Sequence, residues 1–162
     1  MYLNSDIDGE PTSTYVSSMT TKQHRPLDPP RPAMVPMLVC DQAIREVGTN
    51  KVTLVGIFEG ISSSVFPFDW VRGVTVYARL TDAQGVYDMR IELVRLEDEQ
   101  AVGGEDFQET LEDRMRVQEI IMAFGRLGFE RPGKYEFRLF ANDGYLGGAV
   151  LDVVHLDAQE GR

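Results

Sequence analysis

Cys40 and His155 are the side chains that could supply a nucleophile and its base. Thiolate attack needs a base within hydrogen-bond reach or a cation that lowers the thiol pKa. Cys40, however, ends the apolar run Met34–Cys40 and has no cation near it in sequence, so an inert buried thiol is expected. His155 closes the last apolar run and reads as a surface or packing histidine. With two histidines and one cysteine in the chain, a four-ligand structural zinc site is not expected either. The other candidate chemistry is calcium binding by clustered carboxylates. Glu97–Asp113 carries eight carboxylates and no basic residue. Its Glu97, Asp98, Glu99, Glu105 and Asp106, with Asp143 from a later loop, are the candidate ligands. The run lacks the Asp-x-Asp-x-Asp-Gly spacing of a calcium loop, so a loop with a solvated edge strand is the first expectation.

Smaller motifs add little chemistry. Asp41 is expected at a strand end, capping a turn through its carboxylate. Ser62-Ser63-Ser64 lies in a strand-like run without a nucleophile-elbow pattern. Gly103-Gly104 and Gly147-Gly148 lack the lysine and the strand-to-helix context of a phosphate loop. No catalytic residue, cofactor or metal is assigned, and a non-enzyme is expected.

The elements that would position these residues are strands. Met34–Cys40 and Val52–Phe58 are short apolar runs around the polar turn Gly48–Lys51, and Ile61–Phe66 follows before Pro67. Runs of this length, rich in β-branched residues and bounded by turn formers, read as strands. Val74, Val76, Ala78 and Leu80 alternate with Thr75, Tyr77, Arg79 and Thr81, the pattern of a strand with one buried face. Val86–Leu96 is expected to return as the partner of that strand. Its phase slips after Leu93, which predicts a bulge or a crossing between sheets. Trp70 is expected to plug a core edge. Within Arg114–Phe129 the spacing of Val117, Ile120, Ile121 and Phe124 suits a helix, but the compact run closed by Gly125 among strand-like neighbours favours a strand. Tyr135, Phe137 and Leu139 then alternate, Asn142-Asp143-Gly144 supplies a tight hairpin turn, and Tyr145–His155 closes the chain.

Residues 1–33 are rich in Pro, Ser and Thr, and read as a disordered arm ending in the polyproline-like linker Arg25–Pro32. A docking peptide is the alternative for this arm, and His24 within it is not expected to be a ligand. Residues 34–156 form the expected domain, and 157–162 are expected to fray. A chain of 162 residues with 43% hydrophobic content suits one domain with one core. The net charge of −10 argues against nucleic acid and against anionic membranes as partners. The lone cysteine, with no secretory leader at the start and no apolar run of membrane length, points to the cytoplasm.

Two resemblances sharpen this reading. Leu127–Phe137 resembles the E–F corner of immunoglobulin-like sandwiches, which implies that the Tyr135 hydroxyl bonds back to the corner backbone and that Phe137 stands where antibody domains carry a cysteine. Second, Leu38-Val39-Cys40-Asp41, Lys51–Phe58, Phe66-Pro67 and Pro132–Phe137 resemble a family of small bacterial domains of unknown function, over about residues 35–154. That family implies no activity, cofactor or catalytic residue. The expected fold is an all-β, antiparallel immunoglobulin-like β-sandwich of about seven to nine strands. The expected function is protein–protein contact, as adaptor or structural component, with an unknown protein partner or by self-association. A calcium-assisted ligand or membrane binder and a Cys40/His155 enzyme are the lower-ranked alternatives.

Overall fold

The computed structural model describes residues 29–157. They form eleven strands and no helix: β1 Ala33–Arg45, β2 Val52–Ile57, β3 Gly60–Ser63, β4 Phe68–Trp70, β5 Val74–Thr81, β6 Gly85–Arg95, β7 Gln100–Leu111, β8 Gln118–Phe124, β9 Leu127–Phe129, β10 Gly133–Ala141 and β11 Gly144–His155. One sheet has the order β2-β1-β5-β8, a second has β3-β11-β10-β6-β7, and β4 pairs with β9 in a small ribbon. The expected count was lower because β3, β4 and β9, at three or four residues each, are too short to show a period. Residues 1–28, and with them His24 and most of the arm, lie outside the described residues, as do 158–162.

Alternation places the core. Val74, Val76, Ala78 and Leu80 of β5 are buried, as are Tyr87, Met89, Ile91 and Leu93 of β6 and Tyr135, Phe137 and Leu139 of β10. These residues of both large sheets join in one cluster, with Met37, Val39, Ile120, Leu151 and Val153. Trp70 is half-buried against this cluster, its Nε1 donating to the Gly73 carbonyl at 3.0 Å. Within Arg114–Phe129 the apolar run is strand, not helix: β8 runs antiparallel to β5 from Gln118 opposite Leu80 to Phe124 opposite Val74.

Three sequence expectations are corrected. β5 and β6 are not partners, because the chain changes sheets between Thr81 and Gly85, where Asp82 has φ 56. Both strands bury one face, so alternation could not say which strand lies beside which. β6 pairs instead with β10 and β7. Its phase slip is a bulge against β7 between Leu93 and Val94, which leaves both side chains buried. Next, the fold is not wholly antiparallel. The chain also crosses between sheets at Phe58-Glu59, so β3 meets β11 in parallel, Ile61 opposite Val153. Finally, Asp41 does not cap a turn. β1 continues through it to Arg45, and its carboxylate lies over Gly56 of β2, where a Cβ would sit 2.9 Å from Asp41 Cγ. Gly56, at φ +64, is the residue that leaves this space.

The closing hairpin is tight. Asn142 and Asp143 have φ 47 and 63, as a two-residue turn of the primed type requires. A register shift follows between Leu139 and Phe140, opposite Tyr145 and Gly147. At Gly148 any Cβ would collide with the Phe137 carbonyl oxygen, so a glycine is needed for β11 to lie against β10 there. Near the same end Pro29–Pro32 is seated on the domain. The Tyr87 hydroxyl donates to the Pro30 carbonyl at 2.7 Å, and Arg31 donates to the Tyr145 carbonyl.

Candidate functional site

The residues read as possible chemistry do not converge. Cys40 is fully buried in β1, in the first large sheet, its Sγ donating to the Thr75 carbonyl at 3.5 Å. Burial pushes its thiol pKa up, away from the reactive thiolate. His155 ends β11 in the other large sheet, tilted against Phe66 at 5.8 Å between centroids, with Nδ1 3.2 Å from Asp157. A nucleophile held by one sheet and a base at the rim of the other make no catalytic pair. Ser63 of the triple serine donates to the Val65 carbonyl at 2.8 Å, a local turn bond.

The candidate calcium ligands are engaged by arginines or spread along strands. Glu97, Asp98 and Glu99 occupy the β6–β7 turn. Asp98 accepts from Arg95 at 2.8 and 2.9 Å and from Arg131 at 2.9 Å. The Arg95 hydrogen bonds hold its carboxyl at about 2. Glu99 is bound by Arg138, whose hydrogen bonds lower its carboxyl too, and Glu97 lies 3.3 Å from Arg131. Glu105 and Asp106 sit opposite Ile91 and Arg90 along β7. Asp143 is at the β10–β11 turn, 3.7 Å from Arg90. That turn lies by Met89, while Glu97–Glu99 follow Arg95, six residues further along β6, so Asp143 and the β6–β7 turn stand at opposite ends of the sheet. Among the described residues no group of three or more His, Cys, Asp or Glu could hold a metal ion.

What sequence reading missed is Arg95. It is 3% exposed, and it ties the β6–β7 turn to the loop before β10 by also donating to Glu130 at 2.9 Å. A buried arginine answered by two carboxylates and Gln100 fixes the conformation of that acidic turn. Its only sequence signal is a lone basic residue before the acidic run.

The surface that stands out is a sheet edge. β2 pairs antiparallel with β1 across the Gly48–Lys51 turn, as the two flanking apolar runs suggest, and it is the outer strand of the first sheet, paired to β1 alone through Cys40–Ile57, Gln42–Val55 and Arg45–Val52. Val55 and Ile57 are exposed, as is the neighbouring Ile44 of β1. No charged residue lies within Val52–Ile57. The other edges are guarded. β7 carries Glu105, Asp106 and Glu109, and β3 is four residues long. β8 keeps all its apolar side chains but Ala123 buried or half-buried. The part of β1 that β2 leaves uncovered contains Pro36. Charge, brevity and proline are the usual protections of a strand edge, and β2 has none of them.

Beside the C-terminal end of β2 is a cavity of about 290 Å³ lined by Asp41, Gly56, Phe58, Ile61, Trp70 and Arg72. The Arg72 guanidinium lies 5.9 Å from the Trp70 ring centroid. The residues that carry the sequence resemblance, Asp41 and Gly56–Phe58, thus flank this cavity and the open edge.

The fold so described is an all-β domain with one core between two large sheets. Residues 36–154 match the family described as Family of unknown function (DUF6941), and the chain belongs to that family. A search of curated proteins found no match.

Proposed function

We propose that this chain is an immunoglobulin-like β-sandwich that works without catalysis, through protein–protein contacts, as an adaptor or structural component. The open edge of β2 carries this reading: an extended strand laid along Val52–Ile57 would complete unpaired backbone groups and cover Val55 and Ile57. The immunoglobulin-like assignment is supported by the Tyr135 hydroxyl, which donates to the Arg131 carbonyl at 2.8 Å, the bond of a tyrosine corner. The burial and raised pKa of Cys40, remote from His155, favour a non-enzyme. The charge of −10 disfavours nucleic acid and anionic lipid as partners, and a lone buried thiol suits the cytoplasm.

The test is cross-linked capture in the native host with the full chain, with a chain lacking residues 1–28, and with full-length Val55→Lys. The expected result is a partner held by the first two and lost from the third. A partner that survives Val55→Lys but disappears without residues 1–28 would transfer the function to the arm and sink the edge reading.

A further inference from the structure

We propose that the hairpin made by the second half of β1 and by β2 is a hinged flap, folded back over the outer face of the first sheet and latched there by Arg45 and Glu119. The fold-back follows from the register. Cys40 lies opposite Thr75, which lies opposite Ala123, and at that level the ladder between β1 and β5 ends. Arg45 is five residues past Cys40, whereas Glu119 is four residues from Ala123 in the other direction, opposite Arg79. In a flat sheet nine residues of strand, roughly 30 Å, would separate the two along the strand direction. Yet Arg45 Nη1 donates to Glu119 Oε2 at 2.9 Å. β1 therefore doubles back after Cys40 and carries β2 with it.

Burial on that face agrees. Thr75 alternates with the core residues Val74 and Val76, so it points away from the core, and Cys40, directly opposite, points the same way. The outer face of a two-layer sandwich is ordinarily wet, yet Cys40 is 0% and Thr75 6% exposed. The returning hairpin is the layer that shelters them, and Thr75 Oγ1 donates to the Asp41 carbonyl at 3.3 Å where the strand turns back.

Hinge and latch lie at opposite ends of the flap. The β1–β2 register pairs Cys40 with Ile57 and Gln42 with Val55 and passes over Asp41 and Gly56 between them, so both strands bend at one level. Gly56 there has φ +64, which glycine adopts at little cost. A few residues that absorb a change in backbone angle are what a hinge requires. At the far end Arg45 Nη1 binds Asn50 Oδ1 at 3.1 Å across the hairpin as well as Glu119, whose other oxygen accepts from the Tyr77 hydroxyl at 2.7 Å. Glu119 thus fastens the flap to β5 and β8. Val47 at the hairpin tip is fully exposed and adds no packing. An ion pair between partly exposed side chains holds weakly, which makes the latch reversible. Opening uncovers the outer face around Cys40, Thr75 and Tyr77.

Cys40 reports on the flap. Its labelling by an aromatic disulfide reagent is followed in the full chain from zero urea to the unfolding midpoint, each rate being divided by that of the unfolded chain. The expected result is slow labelling at low urea with a urea dependence much shallower than the equilibrium m-value, because an opening flap exposes far less surface than unfolding does. Arg45→Met and Glu119→Gln should each speed this shallow phase roughly two- to fivefold, the weight of one partly exposed ion pair. Combined, they should do no more than either alone, since they remove the same pair. Tyr135→Phe, in the other sheet, should speed only the steep phase near the midpoint. Labelling that follows the full m-value at every urea concentration would overturn the flap. So would a shallow phase that neither latch variant moves, or one that Tyr135→Phe accelerates equally. A double variant whose effect is the product of the two single effects would overturn the latch.

Discussion

Tyr135→Phe removes one hydroxyl from the core. The ring is fully buried and stands edge-on to Phe129, with 5.0 Å between centroids, and phenylalanine keeps that packing. What is lost is the bond from the hydroxyl to the Arg131 carbonyl at 2.8 Å, together with the hydroxyl's polar contact with Arg95. A net intramolecular hydrogen bond contributes about 1 kcal/mol, and a carbonyl left unpaired in the interior costs about 1–3 kcal/mol. Arg131 is exposed, so water can reach its carbonyl, and the lower figure of about 1 kcal/mol applies. For a domain of this size that lowers the melting temperature by about 3–5 °C. Tyr135→Ala, which also removes the ring, should cost about 3–5 kcal/mol. Urea titrations of the wild type and both variants give the comparison, with an unchanged m-value showing that stability alone has moved. A phenylalanine variant with the wild-type midpoint would refute the reasoning, because the hydroxyl would then contribute nothing and the corner assignment would lose its physical basis.

Three further predictions follow from single contacts. Gly56→Ala keeps a positive φ that costs an L-residue about 1–2 kcal/mol and also displaces the Asp41 carboxylate. Adding Asp41→Ala should recover roughly 0.5–1 kcal/mol, and a thermodynamic cycle with no coupling would mean that the two residues do not touch. Because the Asp98 carboxyl is held at about 2, below its ordinary 3.8, the stability it contributes is complete above that ordinary value and is lost as pH falls from about 4 towards 2. Melting temperatures of wild type and Asp98→Asn should therefore converge in that acid window and diverge at neutral pH, whereas parallel curves would count against the Arg95–Asp98 contact. Cys40 should resist an aromatic disulfide reagent in the native state and react in denaturant; rapid native labelling would contradict its burial and reopen the thiol chemistry.

Much of the fold was legible from period and turn chemistry. The buried face of β5, the alternation of Tyr135, Phe137 and Leu139, and the Asn142-Asp143 turn follow from residue types a few positions apart, and all are local. So too was the break after Leu93, since a bulge shifts the phase of a strand within its own sequence. The acidic run was legible as a solvated edge, because eight carboxylates without a cation can only face water or basic groups.

Which strand lies beside which was not legible. β5 and β6 follow each other in sequence yet lie in different sheets, and nothing in two alternating runs says whether the turn between them folds back or crosses over. For the same reason the place of Val52–Phe58 within a sheet could not be read: its apolar residues suit either a buried strand or the open edge that β2 is. The arginines that answer Glu97, Asp98 and Glu99 come from Arg95, Arg131 and Arg138, and only the pairing of β6 with β10 brings the latter two to that turn. By itself the sequence determined that this chain forms strands, where the longer ones turn and which face of β5 and β10 is buried, because those properties depend on neighbours along the backbone. The tertiary structure alone decided that Cys40 and His155 stay apart, that Glu97, Asp98 and Glu99 meet arginines, and that the outer edge of β2 is left open, because those outcomes depend on contacts between residues far apart in the chain.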